Sequence, residues 1–357
     1  MAVGGRTAFI IGGTGQIGTA TARHLAEHGW SVLIAHRGAH EGDPSLVELD
    51  VTSLRLDRDD TESLLPLLDG HDLVLDTVAY EPRHAEQLAQ LAGRVGSLVV
   101  ISSGAVYEDA AGRTLDTATD DESFPQLPYP VDETQQTVTE GTPTYGVLKA
   151  QLERALLEAD GLPVSILRPG AVHGPFSEAL REWYFIKRVR DRRERVVLAY
   201  DGISRFSPTS TASIAELTRL CGESPDRRVL NVADDDVTVT DIANAVMDAM
   251  GHHIEIVPVP GPPVDGIGST PWSTPHPLVL GTARARTELG FEPPQPYRES
   301  VRGDIDWIVD VIDGAKRQQK TWQTLFPRLV RRYGADAWFD YAAEDAFLDT
   351  HPDRPES

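Results

Sequence analysis

The sequence predicts an α/β fold, a doubly wound parallel sheet accompanied by a smaller C-terminal domain. Three observations carry this expectation. Short apolar runs alternate with helical patterns through the first half of the chain. The runs are rich in Val, Ile and Leu without polar alternation, as strands covered on both faces should be. A glycine-rich turn stands directly between the first run and the first helical pattern, the place where a βαβ series begins.

The elements follow in order. "TAFIIGG" is the first strand, and a helix near Ile17–His28 follows it. "SVLIAH" is the second strand, followed by a broken segment. "DLVLDTVAY" precedes a helix near Pro82–Leu91. "SLVVISS" leads through a polar loop to a helix near Tyr145–Ala159, and "VSILRPG" closes the series. From about Val172 the pattern changes. "REWYFIKRVRDRRERV" reads as a helix whose basic face is solvated rather than bound to RNA, given the acidity of the whole chain. "RVLNVAD" is one more strand. "TVTDIANAVMDAM" is a helix with Thr240 or Asp241 near its start. "ARARTELGFEP" is a short helix ending at Gly290, and residues from about Ile305 onward are helical. The tail beyond Asp349 is expected to fray.

Composition bounds the rest. The 357 residues allow one large or two nested domains with ample core. No apolar run approaches the roughly 20 residues of a membrane helix. The first strand is too short for a signal-peptide core, so the chain is expected in the cytoplasm. The single cysteine, Cys221, excludes an internal disulfide and a cysteine-based metal cluster, and no metal site is expected. The net charge of −22 repels nucleic acid and anionic membranes. An anionic ligand must therefore be held by a locally basic or dipolar site.

Gly12, Gly15 and Gly18 form G-x-x-G-x-x-G, with Thr14, Gln16 and Ile17 between them. Such glycines permit a tight turn and close backbone approach. The helix start behind them presents free N–H groups to a pyrophosphate. The second strand ends with His36 and Arg37, where an acidic residue would bind the ribose 2′-hydroxyl of NAD. An arginine suits a 2′-phosphate instead, so NADP(H) is expected ahead of NAD(H). Asp57 and Arg58 follow the next apolar stretch and are candidates to border the adenine.

Lysine is scarce, four of 33 basic residues, yet Lys149 follows Tyr145 by four positions. Residues so spaced sit about 40° apart around a helix and share a face. A tyrosine titrates at about pH 10. A nearby ammonium favours the phenolate, so the pair can exchange a proton with an alcohol while hydride moves. Ser102 and Ser103 end an apolar strand, where a hydroxyl can meet a substrate oxygen.

Five segments in order, "GGTGQIG", "DTVAY", "ISSGAVY", "YGVLK" and "LRPGAVHGP", resemble an extended short-chain dehydrogenase/reductase of the NAD-dependent epimerase/dehydratase group. The resemblance covers roughly residues 6–310. It implies a Rossmann domain, a smaller substrate domain and a Ser–Tyr–Lys site. By position it makes Tyr145 the acid/base, Lys149 its helper and a nicotinamide-ribose ligand, and Ser103 the catalytic serine. Thr77, Ala79 and Tyr80 would border the cofactor after the fourth strand, and Pro169, Gly170 and Val172 would line the nicotinamide. Gly104 and Ala105 stand where the group's dehydratases carry acidic residues, which counts against dehydration. His173 replaces a usual tyrosine and is read as packed rather than as a base. With Ser103, Tyr80 and Arg205 it is a candidate substrate contact.

The resemblance implies a Rossmann domain of residues 1–172 plus about 203–235 and a substrate domain of about 173–202 plus 236–315; the helical pattern of 316–357 has no counterpart in the group and is expected to be an extension. The expected partner is a sugar-like or other polyhydroxylated small molecule. The resemblance implies a homodimer; on the helix after Tyr145, a stripe of Leu148, Leu152, Leu156 and Ala159 could serve core or dimer alike. The functional expectation is an NAD(P)-dependent oxidoreductase. A nucleotide-sugar epimerase with retained cofactor is the alternative, ahead of a non-catalytic nucleotide- or RNA-binding member.

Overall fold

A computed structural model describes residues 5–38, 42–139 and 141–350. The tail expected to fray falls largely on residues 351–357, outside the described residues. The chain divides into two compact units. The first comprises Met1–Gly174, Ser207–Asp235 and Leu278–Pro296, and the second comprises Pro175–Phe206, Asp236–Pro277 and Tyr297–Ser357.

The first unit is built on seven strands: β1 (Thr7–Ile11), β2 (Ser31–His36), β3 (Thr52–Arg55), β4 (Leu73–Asp76), β5 (Ser97–Ile101), β6 (Val164–Pro169) and β7 (Arg228–Val232). They pair in the order β7-β6-β5-β4-β1-β2-β3 and are all parallel. The order reverses between β1 and β4, and ligands bind open α/β sheets at the carboxyl edge beside such a reversal. Among the described residues, six α-helices belong to this unit: α1 (Gln16–Glu27), α2 (Thr61–Leu68), α3 (Pro82–Ala89), α4 (Tyr145–Glu158), α5 (Thr211–Glu223) and α6 (Ala283–Leu289).

Successive side chains of a strand point to opposite faces, and both faces here are covered. Ala8, Ile10, Leu73, Leu75, Val99 and Ile101 pack with α1 and α5 on one side, a core that includes the buried Cys221. Phe9, Ile11, Val74, Leu98 and Val100 pack with α2, α3 and α4 on the other. This double burial explains the unalternated apolar runs. Leu152 and Leu156 are fully buried in the second core, so that stripe of α4 serves the fold of a single chain.

Two boundaries differ from those expected. Leu278–Pro296 belongs to the first unit. Val131 N donates to Val279 O, Gly281 N donates to Val131 O, and Ala285 and Phe291 are buried in the core beside α5. The segment after residue 315 is part of the second unit rather than an extension. Phe326, Leu329 and Trp338 enter one core with Trp183, Phe185, Val246 and Ile308.

The basic segment also differs from expectation. Its helix, Trp183–Arg190, is almost wholly buried. Arg188 Nη2 donates to Trp338 O at 2.6 Å, and its guanidinium lies 3.8 Å from the Tyr184 ring centre. Arg190 pairs with Asp313 and Arg193 with Asp345. Arg188 is thus buried and Arg190 and Arg193 are half-buried against acidic partners in later parts of the chain, while Arg192 stays exposed, so the basic face is only partly solvated. Among the described residues, no helix is long and apolar enough to cross a membrane.

Candidate active site

The glycine turn joins β1 to α1. Gly12 has φ of +83°, a left-handed conformation that glycine adopts without steric cost. Its N–H and that of Gly13 both donate to Ala35 O, at 3.0 and 3.1 Å, which ties the turn to β2. A Cβ on Gly13 would lie 2.3 Å from Ile34 Cβ, and one on Gly18 would lie 2.3 Å from Gly12 O. Packing within the chain therefore demands those glycines. Gly15 is different. Its φ is −81°, and a Cβ there would meet only Gly12 O, at 3.5 Å. Neither backbone nor packing requires a glycine at this position, whereas close approach of a ligand would. Gly15 also caps α1 without a side-chain bond, and the first turn carries no acidic residue. The N–H groups there suit an anion. The pyrophosphate of a dinucleotide fits this cradle. Around it, Thr14 is buried, Ile17 packs on the core, and Gln16 Nε2 donates to Gly174 O at 3.3 Å.

The edge of β2 and β3 is more open. His36 Nε2 lies 3.0 Å from Ser53 Oγ. Arg37, Arg55, Leu56 and Asp57 line a cleft of about 390 Å³. Asp57 Oδ1 accepts from Asp59 N at 3.1 Å. Arg58 corrects an expectation. Its side chain turns inward, 8% exposed, and Nη2 donates to Asp76 Oδ2 at 2.6 Å. Asp76 is fully buried at the end of β4 and needs a countercharge there. The guanidinium of Arg58 thus turns away from the open cleft and braces the sheet. Asp76 Oδ1 also accepts from Val78 N and Ala79 N, at 2.9 and 2.7 Å, shaping the turn after β4. Thr77 Oγ1 donates to Ile11 O at 3.0 Å, which fastens that turn to the end of β1.

Helix α4 begins at Tyr145, and the Thr144 side chain accepts from Val147 N. A Cβ on Gly146 would lie 2.4 Å from Ala105 O, so the helix start sits directly on the turn that follows β5. In that turn Ser103 Oγ accepts from Ala105 N at 3.1 Å, a bond that leaves the hydroxyl proton uncommitted. The Tyr145 ring lies 5.5 Å from that of Tyr80, centre to centre. Lys149 is 4% exposed. Its Nζ donates to Ala79 O at 2.6 Å and Ile101 O at 2.7 Å. It stands 5.8 Å from the Tyr145 ring centre and 5.9 Å from that of Tyr80. Burial pushes its ammonium down to about 8, against the opposing pull of Asp76 and Glu153.

Beyond β6, Gly170 N donates to Thr209 Oγ1 at 2.9 Å, and a Cβ there would strike Ser207 O. Pro169 ends β6, and Val172 packs on the core beside α1 and α5. His173 is buried, with Nε2 3.2 Å from Asp234 Oδ2. Asp234 also accepts from Ser210 and Ser213. His173 is thus packed against Asp234. Arg205 lies in the second unit, ion-paired with Asp236 at 2.8 Å.

The model of the NAD dependent epimerase/dehydratase family matches residues 8–206, more than half of the chain. The chain belongs to this family. A search of curated protein sequences returns no match. Solved structures agree on the fold. The UDP-glucose 4-epimerase of Thermotoga maritima, solved with UDP-glucose, is 20% identical with a TM-score of 0.61, covering 85% of this chain and 99% of that one. The UDP-glucose 4-epimerase of Thermus thermophilus, in complex with NAD, is 20% identical with a TM-score of 0.58 and the same coverage. The dTDP-glucose 4,6-dehydratase of Bacillus anthracis, also with NAD, is 14% identical with a TM-score of 0.61, covering 85% of this chain and 97% of that one.

In this family member the helix face of Tyr145 and Lys149 continues one turn further, to a residue the sequence reading passed over. Glu153, 2% exposed, accepts from Ser102 Oγ and from Arg168 Nε and Nη2. The Arg168 guanidinium also lies 4.9 Å from the Tyr107 ring centre, and Tyr107 OH donates to Asn231 Oδ1 at 2.6 Å. Burial pushes the Tyr107 phenol up to about 12. The network holds three segments in place: the end of β5 through Ser102, the end of β6 through Arg168, and α4 through Glu153. The i, i+4, i+8 spacing of Tyr145, Lys149 and Glu153 was a signal that could have pointed to it.

Proposed function

We propose that this protein is an NADP(H)-linked oxidoreductase that transfers hydride at a secondary alcohol or ketone carbon of a sugar-like or other polyhydroxylated small molecule. One observation carries the reading: a buried Lys149 ammonium 5.8 Å from the Tyr145 ring, beside the serine turn that ends β5. In this reading the bound dinucleotide supplies the acceptor or donor of hydride. Tyr145 takes the alcohol proton as the carbon is oxidised and returns it on reduction. Lys149 favours the phenolate by its charge. The Ser103 hydroxyl donates to the substrate oxygen and holds the reacting carbon in place. Arg37 at the end of β2 favours a 2′-phosphate. The absence of acidic side chains at Gly104 and Ala105 disfavours elimination.

The test is turnover with added NADPH or NADH against a panel of ketones, aldoses and nucleotide sugars, read by nicotinamide absorbance. Oxidation or reduction of one class, faster with the phosphorylated cofactor, supports the reading. A second reading, an epimerase with retained cofactor, is favoured by the family match and by the epimerases among the similar structures. It predicts nucleotide released stoichiometrically on denaturation and isomerised substrate with no added cofactor. Either result decides against the other.

A further inference from the structure

The cleft at the β2–β3 edge contains a second cation that the motifs do not point to. Arg55 is the last residue of β3 and pairs in register with His36. Its Nε donates to Arg37 O at 3.2 Å. It lies across the backbone of Gly38, where a Cβ would stand 3.2 Å from that Nε. A Cβ at position 38 would crowd the guanidinium, and the φ of +83° there favours glycine in any case. Arg55 and Arg37 are both exposed, and both line the cleft.

Two features distinguish this pair. Other arginines in the first hundred residues are ion-paired: Arg6 with Glu223, Arg23 with Asp43, Arg58 with Asp76, Arg83 with Glu81 and Arg94 with Asp69. Among the described residues, neither Arg37 nor Arg55 has a carboxylate partner. The second feature is charge balance. Asp57 lines the same cleft. Among the described residues that line it, Arg37 alone would only balance Asp57, leaving the cleft poorly suited to a phosphate dianion. Arg55 makes it net positive in a protein whose net charge is −22.

We propose that Arg55 is a further specificity-determining residue, which with Arg37 forms a two-guanidinium cradle for the 2′-phosphomonoester of an adenine dinucleotide. This rests on the NADP(H) reading above. The Arg55 Nε is held by the Arg37 carbonyl, and its terminal amino groups are left to bond phosphate oxygens. Planar guanidinium forks suit this geometry better than an ammonium does.

Equilibrium binding of NADPH, NADH, 2′,5′-ADP and 5′-ADP is measured by calorimetry on the full chain, for the wild type and for Arg37→Ala, Arg55→Ala and Arg55→Lys. Arg55→Ala is expected to weaken NADPH and 2′,5′-ADP by about 10- to 100-fold, as loss of a charge-assisted hydrogen bond does. NADH and 5′-ADP should stay within about twofold, and Arg55→Lys should recover only part of the loss. Thermal unfolding of each variant checks that the exposed substitution leaves the fold intact. If Arg37→Ala removes the preference for NADPH while Arg55→Ala keeps it, the role of Arg55 is overturned and the cofactor reading stands. If the wild type binds NADH as tightly as NADPH, both fall. Equal weakening of NADPH and NADH by Arg55→Ala also overturns the proposal.

Discussion

The start of α4 and the β2–β3 edge both lie on the carboxyl side of one sheet, yet they are built on opposite principles. Around α4 the charged groups are buried and committed. Lys149 is held by two carbonyls, Glu153 by Ser102 and Arg168, and Asp76 by Arg58 and two backbone N–H groups. At the β2–β3 edge, Arg37, Arg55 and Asp57 are exposed, tethered by only a few backbone bonds. Burial makes a charge costly to misplace and so fixes geometry. Exposure makes a charge cheap to exchange. The contrast teaches that the proposed proton-transfer site is tied to the stability of the fold, while the proposed cofactor preference is nearly independent of it.

The sharpest way to break this comparison is at its chemical end. Tyr145→Phe removes one hydroxyl from a half-buried ring. It should lower the turnover rate about 10²- to 10⁴-fold, the usual worth of a positioned acid/base, with little change in the midpoint of thermal unfolding. Steady-state rates and calorimetry on the same sample check both halves. Full activity in the phenylalanine variant would remove Tyr145 from the reaction. Glu153→Ala tests the coupling to stability. It strands Arg168 in the core, and breaking a buried pair this way costs about 3–5 kcal/mol. Denaturant unfolding should show this loss. A midpoint equal to that of the wild type would show that burial around α4 contributes no rigidity.

Legibility in the sequence follows the same divide between local and distant causes. The glycine turn, the strand runs and the Tyr145–Lys149 face are set by residues within a few positions of one another, so spacing alone places them. The start of the helix Val239–Met250 was nearly readable: Thr238 is the cap, and Asp241 completes its capping box. What escaped depends on distant partners. Arg58 turns inward because of Asp76, and Asp57 beside it turns outward. Arg188, Arg190 and Arg193 look solvated until Trp338, Asp313 and Asp345 are known to cover them. Glu153 carries a local signal, but its partner Arg168 stands on another strand. Leu278–Pro296 returns to the first unit through backbone bonds to Val131 that no periodicity announces.

A smaller effect sharpens the comparison through pH. Burial lowers the Lys149 ammonium to about 8. In the reductive direction the reaction needs this ammonium charged and Tyr145 protonated. The value of kcat/KM, which reports the free enzyme, should therefore be flat below pH 8 and fall about tenfold per unit above it. Lys149→Arg keeps its charge throughout this range and should abolish that limb, at some cost in rate. A profile that stays level to pH 10 would mean that the charge of Lys149 is not needed for the reaction.

The smallest expected effect separates the glycines that the fold requires from the one left to a ligand. Gly18→Ala forces a Cβ against Gly12 O and should destabilise the fold. Gly15→Ala has room, φ of −81°, and no packing neighbour closer than 3.5 Å. It should leave the unfolding midpoint nearly unchanged and weaken dinucleotide binding about tenfold, a difference of about 1.4 kcal/mol. The weakening should be the same for NADPH and NADH, because the pyrophosphate is common to both. Arg37→Ala should instead weaken NADPH alone. If Gly15→Ala binds both cofactors as tightly as the wild type, the close approach inferred at Gly15 is wrong. The pyrophosphate would then have to lie elsewhere along the start of α1.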